Sequence, residues 1–418
     1  MNHSATTTGD GQVSLFDADA FEPTLAAARA RVAALQPAEY ARSRNHLEGA
    51  VSRLSPYLTH GFLTLREVLQ AAVHKQQGLG VQHKFVYELG WREFFQHRWW
   101  HRGEGIFDAL HEGPLPQHAY ATDLPADIRE ARCGIPVIDA AVRELYATGY
   151  LHNHARMWLA SYVVHMRRVH WRAGADWMVG HLLDGDLASN HLSWQWVAGT
   201  GSHKPYLFNA ENVARYAPAA WHSFGSGIDA GYEALERIAR GHSPALAAPV
   251  LRRSAAQPGL AEPELLAQAP EEFGFHRPSA GELDSLRGKR VRLIHPWSLA
   301  EPSTAAAAGT VWLALLPLDF HLRWPWSARR WSFVGRRLAA LLPPDAARWC
   351  LSSADAAAAL ASAASVDAVA NPHLGASLDR LLARPAPRLF AWPTAECRSF
   401  SEFWAKATKG LDGAQALL

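Results

Sequence analysis

The chain has 418 residues, 49% hydrophobic and 19% charged, with a formal charge of +2. This is the composition of an ordinary globule with room for two or three domains, and the charge permits but does not demand a nucleic-acid partner. Three widely spaced cysteines (Cys133, Cys350, Cys397) with no CxxC exclude a disulfide framework, a zinc site and an iron–sulfur cluster, so no metal is expected. Seventeen tryptophans serve either aromatic pockets or a bulky core. The first fifteen residues carry no signal pattern, and no 18-residue uncharged apolar run occurs, so a cytoplasmic protein without a membrane span is expected.

In chain order, residues 1–20 are polar and read as a flexible N-terminus. From 21 to 226 the pattern is helical. "TLAAARARVAAL", "KFVYELGWREFFQHRWW", "IPVIDAAVRELYATG" and "HARMWLASYVVHMRRV" all place apolar residues at helical spacing, separated by Gly- and Pro-containing breaks.

Four short stretches inside this region stand out. In "AVSRLSPYLTHG" (50–61), Ser52 and Ser55 flank Arg53, and Pro56 suits a first helical turn. The loop can offer two hydroxyls, a guanidinium and backbone N–H groups to an anion, or its serine can be a plain N-cap. In "FVYELGWREFF" (85–95), Glu88, Trp91, Arg92 and Phe95 share one face, and Gly90 costs the helix about 1 kcal/mol, which points to a close neighbour. In "LHNHARMWLASY" (151–162), Asn153, Arg156 and Met157 share a face. In "LLDGDLASNHLSWQW" (182–196), Asp186, Asn190 and Trp194 recur every four residues. That last stretch reads equally as a helix start, with Asp184 or Asp186 as N-cap and the tryptophans as core.

Residues 227–285 read as a Pro/Ala-rich linker region. From 286 to 418 the order changes to βαβα: strands in "VRLIHPW", "TVWLALLPL", "ARWCLSS", "VDAVAN" and "PRLFAWP" alternate with helices such as "SARRWSFVGRRLAALL". A small parallel sheet covered by helices is expected there, without a GxGxxG or GxxxxGK[ST] fingerprint. The fold class is therefore mainly α, a helical domain followed by a small α/β domain.

The motifs "SRLSPYL", "ELGWREFF", "IPVIDAAVREL", "LHNHARM" and "DGDLASNHLSWQW" together resemble, in order and spacing, the helical FAD-binding domain of the photolyase/cryptochrome family. The resemblance spans roughly residues 25–220. It implies FAD as cofactor, bound by Tyr40, Ser52, Arg53, Leu54 and Ser55 chiefly through its phosphates, with Phe85 and Arg92 beside it. It implies Arg156 paired with Asp184 at the isoalloxazine, Asp184 and Asp186 on flavin and ribose groups, and Asn190 against flavin N5. Trp194 and Trp171 become the first two steps of an electron-transfer chain, with Tyr120 in place of a distal Trp that the sequence lacks. Glu88, Trp91, Asn153, Met157 and Trp196 fall where dimer-repairing members line the lesion pocket, and Glu88, Trp91 and Asn190 carry the catalytic roles.

The implied activity is repair of cyclobutane pyrimidine dimers in single- or double-stranded DNA by electron transfer from photoexcited reduced FAD. The competing expectation is a cryptochrome-like photoreceptor or redox flavoprotein without repair. Val51 and His154 depart from the family pattern, as does the detail of "AGTGSHKPYLFNAENVARYAP". The expected 286–418 domain stands as a displaced or degenerate counterpart of the family's N-terminal antenna domain. Arg98, Arg102, Arg167, Arg168, Arg172 and Lys204 could meet phosphates or form a solvated face.

Overall fold

The computed structural model describes residues 21–247, 258–302, 305, 307–382 and 386–418. The N-terminus 1–20 and part of the linker, 248–257, lie outside the described residues.

Six helices position the site: α1 (Pro37–Ser43), α2 (Ser55–Thr59), α3 (Lys84–Arg102), α4 (Asn153–Ser161), α5 (Trp171–His181) and α6 (Leu187–Ala198). Their starts follow local chemistry. Pro37 and Pro56 fill the first turns of α1 and α2, where a missing N–H costs nothing. The rings of His83, His152 and His170 accept the backbone N–H of Phe85, His154 and Arg172, and so cap α3, α4 and α5. Asp186 caps α6 by accepting the Ser189 N–H at 2.7 Å, and Gly199, at φ 75°, ends that helix in the left-handed region.

Beyond residue 285 the chain forms four parallel strands, β1 (Arg290–Ile294), β2 (Val311–Pro317), β3 (Ala347–Leu351) and β4 (Ser365–Asp367), in the order β3-β2-β1-β4. Register places Val291 beside both Val311 and Val366, and Leu313 beside Ala347. Helix α7 (Ala328–Leu341) lies in the β2–β3 crossover, and the helix Ser353–Leu360 lies in that from β3 to β4. Parallel pairing needs such crossovers, and the buried runs of β1 and β2 fit a sheet covered on both faces.

The strand expected in "PRLFAWP" does not form. The N–H groups of Leu389 and Phe390 and the Trp392 indole all donate to the buried Glu93 carboxylate of α3, which takes the donors a ladder would need. The chain then enters α8 (Phe400–Ala407), which lies on α3. A Cβ on Gly90 would stand 2.2 Å from the Trp404 ring, so Trp404 is the close neighbour that Gly90 admits.

Apolar packing does not follow chain order. One hydrophobic cluster joins Leu54, Phe85 and Leu187 to Val291, Leu315, Trp331 and Phe403. A second holds Ile138, Trp158, Trp171, Trp194 and Leu235. The sheet thus shares a core with α2, α3 and the start of α6.

Candidate functional site

A cavity of about 230 Å³ opens among α1, α2, α3 and α4. Tyr40 and Phe85 form part of its wall, the 52–55 loop another, and Glu88, Arg92 and Asn153 face it as well. Arg53 adopts φ 49°, a left-handed conformation that costs a non-glycine residue of order 1 kcal/mol or more. Among the described residues the backbone N–H groups of 52–55 have no backbone acceptor, and Leu54, the residue before α2, makes no side-chain cap. Neither Ser52 nor Ser55 is therefore spent as an N-cap. Hydroxyls, N–H groups and a guanidinium at one cavity wall are a donor set suited to phosphate.

Glu88 meets Arg44 at 2.6 Å. Burial raises the Glu88 carboxyl, while Arg44 and Lys84 pull it back. Burial and the Glu88 charge push the Tyr40 hydroxyl up. Arg44, Tyr150 and His152, none singled out by the motifs, also line this cavity. Arg44 was within reach of sequence reasoning, since it lies one helical turn beyond Tyr40. Glu144, near Arg53 and Arg156, is pushed up to about 7 by burial.

Behind Tyr150, Arg156 donates to both carboxylate oxygens of Asp184, at 3.0 and 2.8 Å. Its Nε donates to Leu151 O, and its guanidinium lies 5.4 Å from the Tyr150 ring centre. Arg92 donates to Thr59 Oγ1 at 3.2 Å, and Thr59 donates to Asp184 O at 3.4 Å. Asp186 uses one oxygen for its cap and accepts Gln96 Nε2 on the other at 2.8 Å. Asn190 donates to Ala175 O, and its own oxygen accepts from no donor among the described residues. Trp194 packs on Gly174 of α5, where a Cβ would lie 2.3 Å from the ring. Trp171 stands one turn earlier on α5, its Nε1 buried without a partner among the described residues, and lines a separate cavity of about 300 Å³ with Tyr120.

The remaining residues are not gathered at the first cavity. Trp91 stacks face to face on Phe400 of α8, with ring centres 4.1 Å apart and planes 6° apart. Trp196 lies beside Tyr206, 38% exposed. Met157 accepts a contact from Asn153 Nδ2 at 3.4 Å. Most of the basic residues are engaged within the protein. Arg98 and Arg102 pair with Glu396, Arg167 with Asp127 and Arg172 with Asp176, and Arg168 donates to the carbonyls of Ile238 and Ser243. Among the described residues no cluster of side chains could hold a metal ion, and no helix is long and apolar enough to cross a membrane.

Residues 85–220 match the family described as the FAD binding domain of DNA photolyase. A deoxyribodipyrimidine photo-lyase from Synechococcus sp. is 33% identical over 223 residues, covering 48% of this chain and 45% of that protein. One from Thermus thermophilus is 38% identical over 198 residues, covering 46% and 45%. Among solved structures, a Synechocystis sp. cryptochrome is 28% identical, covers 47% of this chain and 44% of its own, and superposes with a TM-score of 0.43. The chain thus spans less than half the length of these curated relatives. The similarity to photolyases thus lies in the helical region, where residues 85–220 match the FAD-binding domain of that family.

Proposed function

We propose that this chain repairs cyclobutane pyrimidine dimers in DNA, driven by light, with FAD as its cofactor. The observation that carries this reading is the cavity in which Glu88 and Asn153 share walls with the phosphate-type 52–55 loop. Tyr40, Ser52, Arg53, Leu54 and Ser55 would hold the FAD phosphates, with Phe85 and Arg92 alongside. Arg156 with Asp184, then Asp186 and Asn190, would meet the polar ring edge, which must not be left unpaired when buried. When bound, reduced and excited, FAD supplies the electron that opens the dimer.

The protein's own groups do the rest in this reading. Glu88, raised by burial, holds a proton more readily than an exposed carboxyl and can donate a hydrogen bond to the extruded lesion. Asn153 and Met157 would bound the lesion, and Trp91 and Trp196 would stack on its bases. Trp91 offers one face for this, since Phe400 covers the other. Trp194, Trp171 and Tyr120 would return electrons to the cofactor. The substrate is DNA carrying pyrimidine dimers, single- or double-stranded.

A second reading, a cryptochrome-like photoreceptor or redox flavoprotein without repair, is favoured by two observations. Phe400 covers one face of Trp91, and Arg98, Arg102, Arg167, Arg168 and Arg172 are engaged within the protein. The deciding experiment follows thymine-dimer loss under blue light with the flavin reduced beforehand. Light-dependent loss supports repair. Normal flavin cycling with every dimer intact replaces it with the photoreceptor reading.

A further inference from the structure

The Asp184–Gly185–Asp186 turn is held from outside the helical region. Arg330 of α7 is 1% exposed, and it donates from Nη1 to Val179 O at 3.1 Å and from Nη2 to Gly185 O at 2.8 Å. It makes no ion pair among the described residues and lies 4.0 Å from the Trp326 ring centre. Gly185 has no room for a side chain because of it: a Cβ there would stand 2.4 Å from Arg330 Nη1 and 2.3 Å from Val179 O.

His373, which follows β4, grips the other end. Its Nδ1 donates to Asn371 Oδ1 at 2.7 Å, which leaves Nε2 as an acceptor. Nε2 accepts the N–H of Leu187, the first residue of α6, at 3.3 Å and lies 3.7 Å from Asp186 Oδ2. The ring is fixed by stacking on Trp297, at 4.7 Å and 9°, and by edge contact with Trp99.

We infer that Arg330 and His373, both supplied by the α/β region, are positioning residues for the flavin, setting its retention and its reduction potential through the 184–186 turn. The inference rests on FAD being the cofactor of the helical domain. Three guanidiniums (Arg92, Arg156 and Arg330) act on the Asp184 and Asp186 carboxylates, and the Glu144 carboxyl, pushed up to about 7 by burial, acts on Arg156 as well. Burial pulls Arg330 down to about 9, against the attraction of the two aspartates, so it stays cationic at neutral pH. A buried cation held on the turn that would meet the flavin favours the reduced form, which is the more negative of the two. His373 is neutral and acts by geometry alone.

The test uses full-length protein loaded with FAD, with flavin content, FAD Kd and midpoint potential as readouts. Arg330→Met should bind reduced FAD about tenfold less well relative to oxidised FAD, a fall of about 30 mV for a two-electron couple. Arg330→Lys should restore most of that potential by restoring charge. His373→Phe keeps the ring stack and loses the acceptor; its FAD Kd should rise about tenfold at unchanged potential. A folded Arg330→Met with wild-type Kd and potential overturns the inference. If Arg330→Met does not accumulate, Arg330→Lys and His373→Phe decide, and wild-type FAD affinity in both overturns it. A wild type that takes up no FAD brings down the cofactor assignment itself, and this inference with it.

Discussion

Glu88 and Arg44 form a tight pair in the lining of the cavity, so any hydrogen bond from Glu88 to a lesion competes with that guanidinium. Glu88→Ala should lower dimer repair about tenfold or more, the size of one or two kcal/mol in a buried hydrogen bond, with flavin content near wild type. Equal turnover in mutant and wild type, both pre-reduced, removes Glu88 from the lesion pocket. Arg156→Ala leaves Asp184, only 7% exposed, as a buried carboxylate without its ion pair. That variant should purify with much less FAD, read from the ratio of visible to ultraviolet absorbance; full occupancy rejects the assigned role. Trp194→Phe should keep its flavin and photoreduce it far more slowly, because a phenyl ring is much harder to oxidise than an indole; an unchanged photoreduction rate counts against the chain. Asp186 shows how two readings of one residue can coexist. It caps α6 with one oxygen and accepts Gln96 with the other. The capping role was legible from local sequence; the bond to Gln96, ninety positions away, was not.

At the scale of elements, periodicity and breaks located the helices and the four parallel strands, because those signals are local. The exceptions involve distant partners. The stretch 387–393 has strand composition, but Glu93 claims its donors. Gly90 announced a close neighbour, yet only the fold shows that Trp404 is the neighbour. Gly90→Ala would improve helix propensity in isolation by about 1 kcal/mol. Here it should destabilise the protein by about 1–3 kcal/mol, because the added methyl meets a ring packed on both sides. Urea unfolding of Gly90→Ala, Trp404→Ala and the double variant checks this: the double should cost less than the sum of the singles. Strict additivity would mean that the two residues do not touch in solution.

For the molecule as a whole, three buried rings lie in the α/β region, and one of them, His373, ties it to α6. Burial pushes His295 down to about 4 and His373 to about 3, and holds His321 well below its ordinary value. Hydrogen bonds agree for two of them. His295 gives Nε2–H to Val369 O and accepts the Trp297 N–H, and His373 is bonded as a neutral ring. Folding therefore prefers the uncharged forms. Their stabilisation is complete above about pH 6.5 and is lost as pH falls toward the low folded values, by roughly 1–2 kcal/mol per ring at pH 5. Denaturant midpoints at pH 7.5 and 5 should differ accordingly, and His321→Phe should flatten the slope. An equal slope in that variant would show that His321 does not titrate on unfolding.

The cover over α3 also sets an order of events during synthesis. Glu93 and His97 receive their hydrogen bonds from residues 389–397, some three hundred positions later, and Phe400 and Trp404 close over Trp91 and Gly90 later still. On the ribosome, α3 therefore emerges with an acidic group and an aromatic surface awaiting partners translated some three hundred residues later. At ordinary elongation rates that interval lasts tens of seconds, long enough for holdase chaperones to compete for the same surface. A chain halted at residue 396 should stay chaperone-bound or aggregate, while the full chain clears.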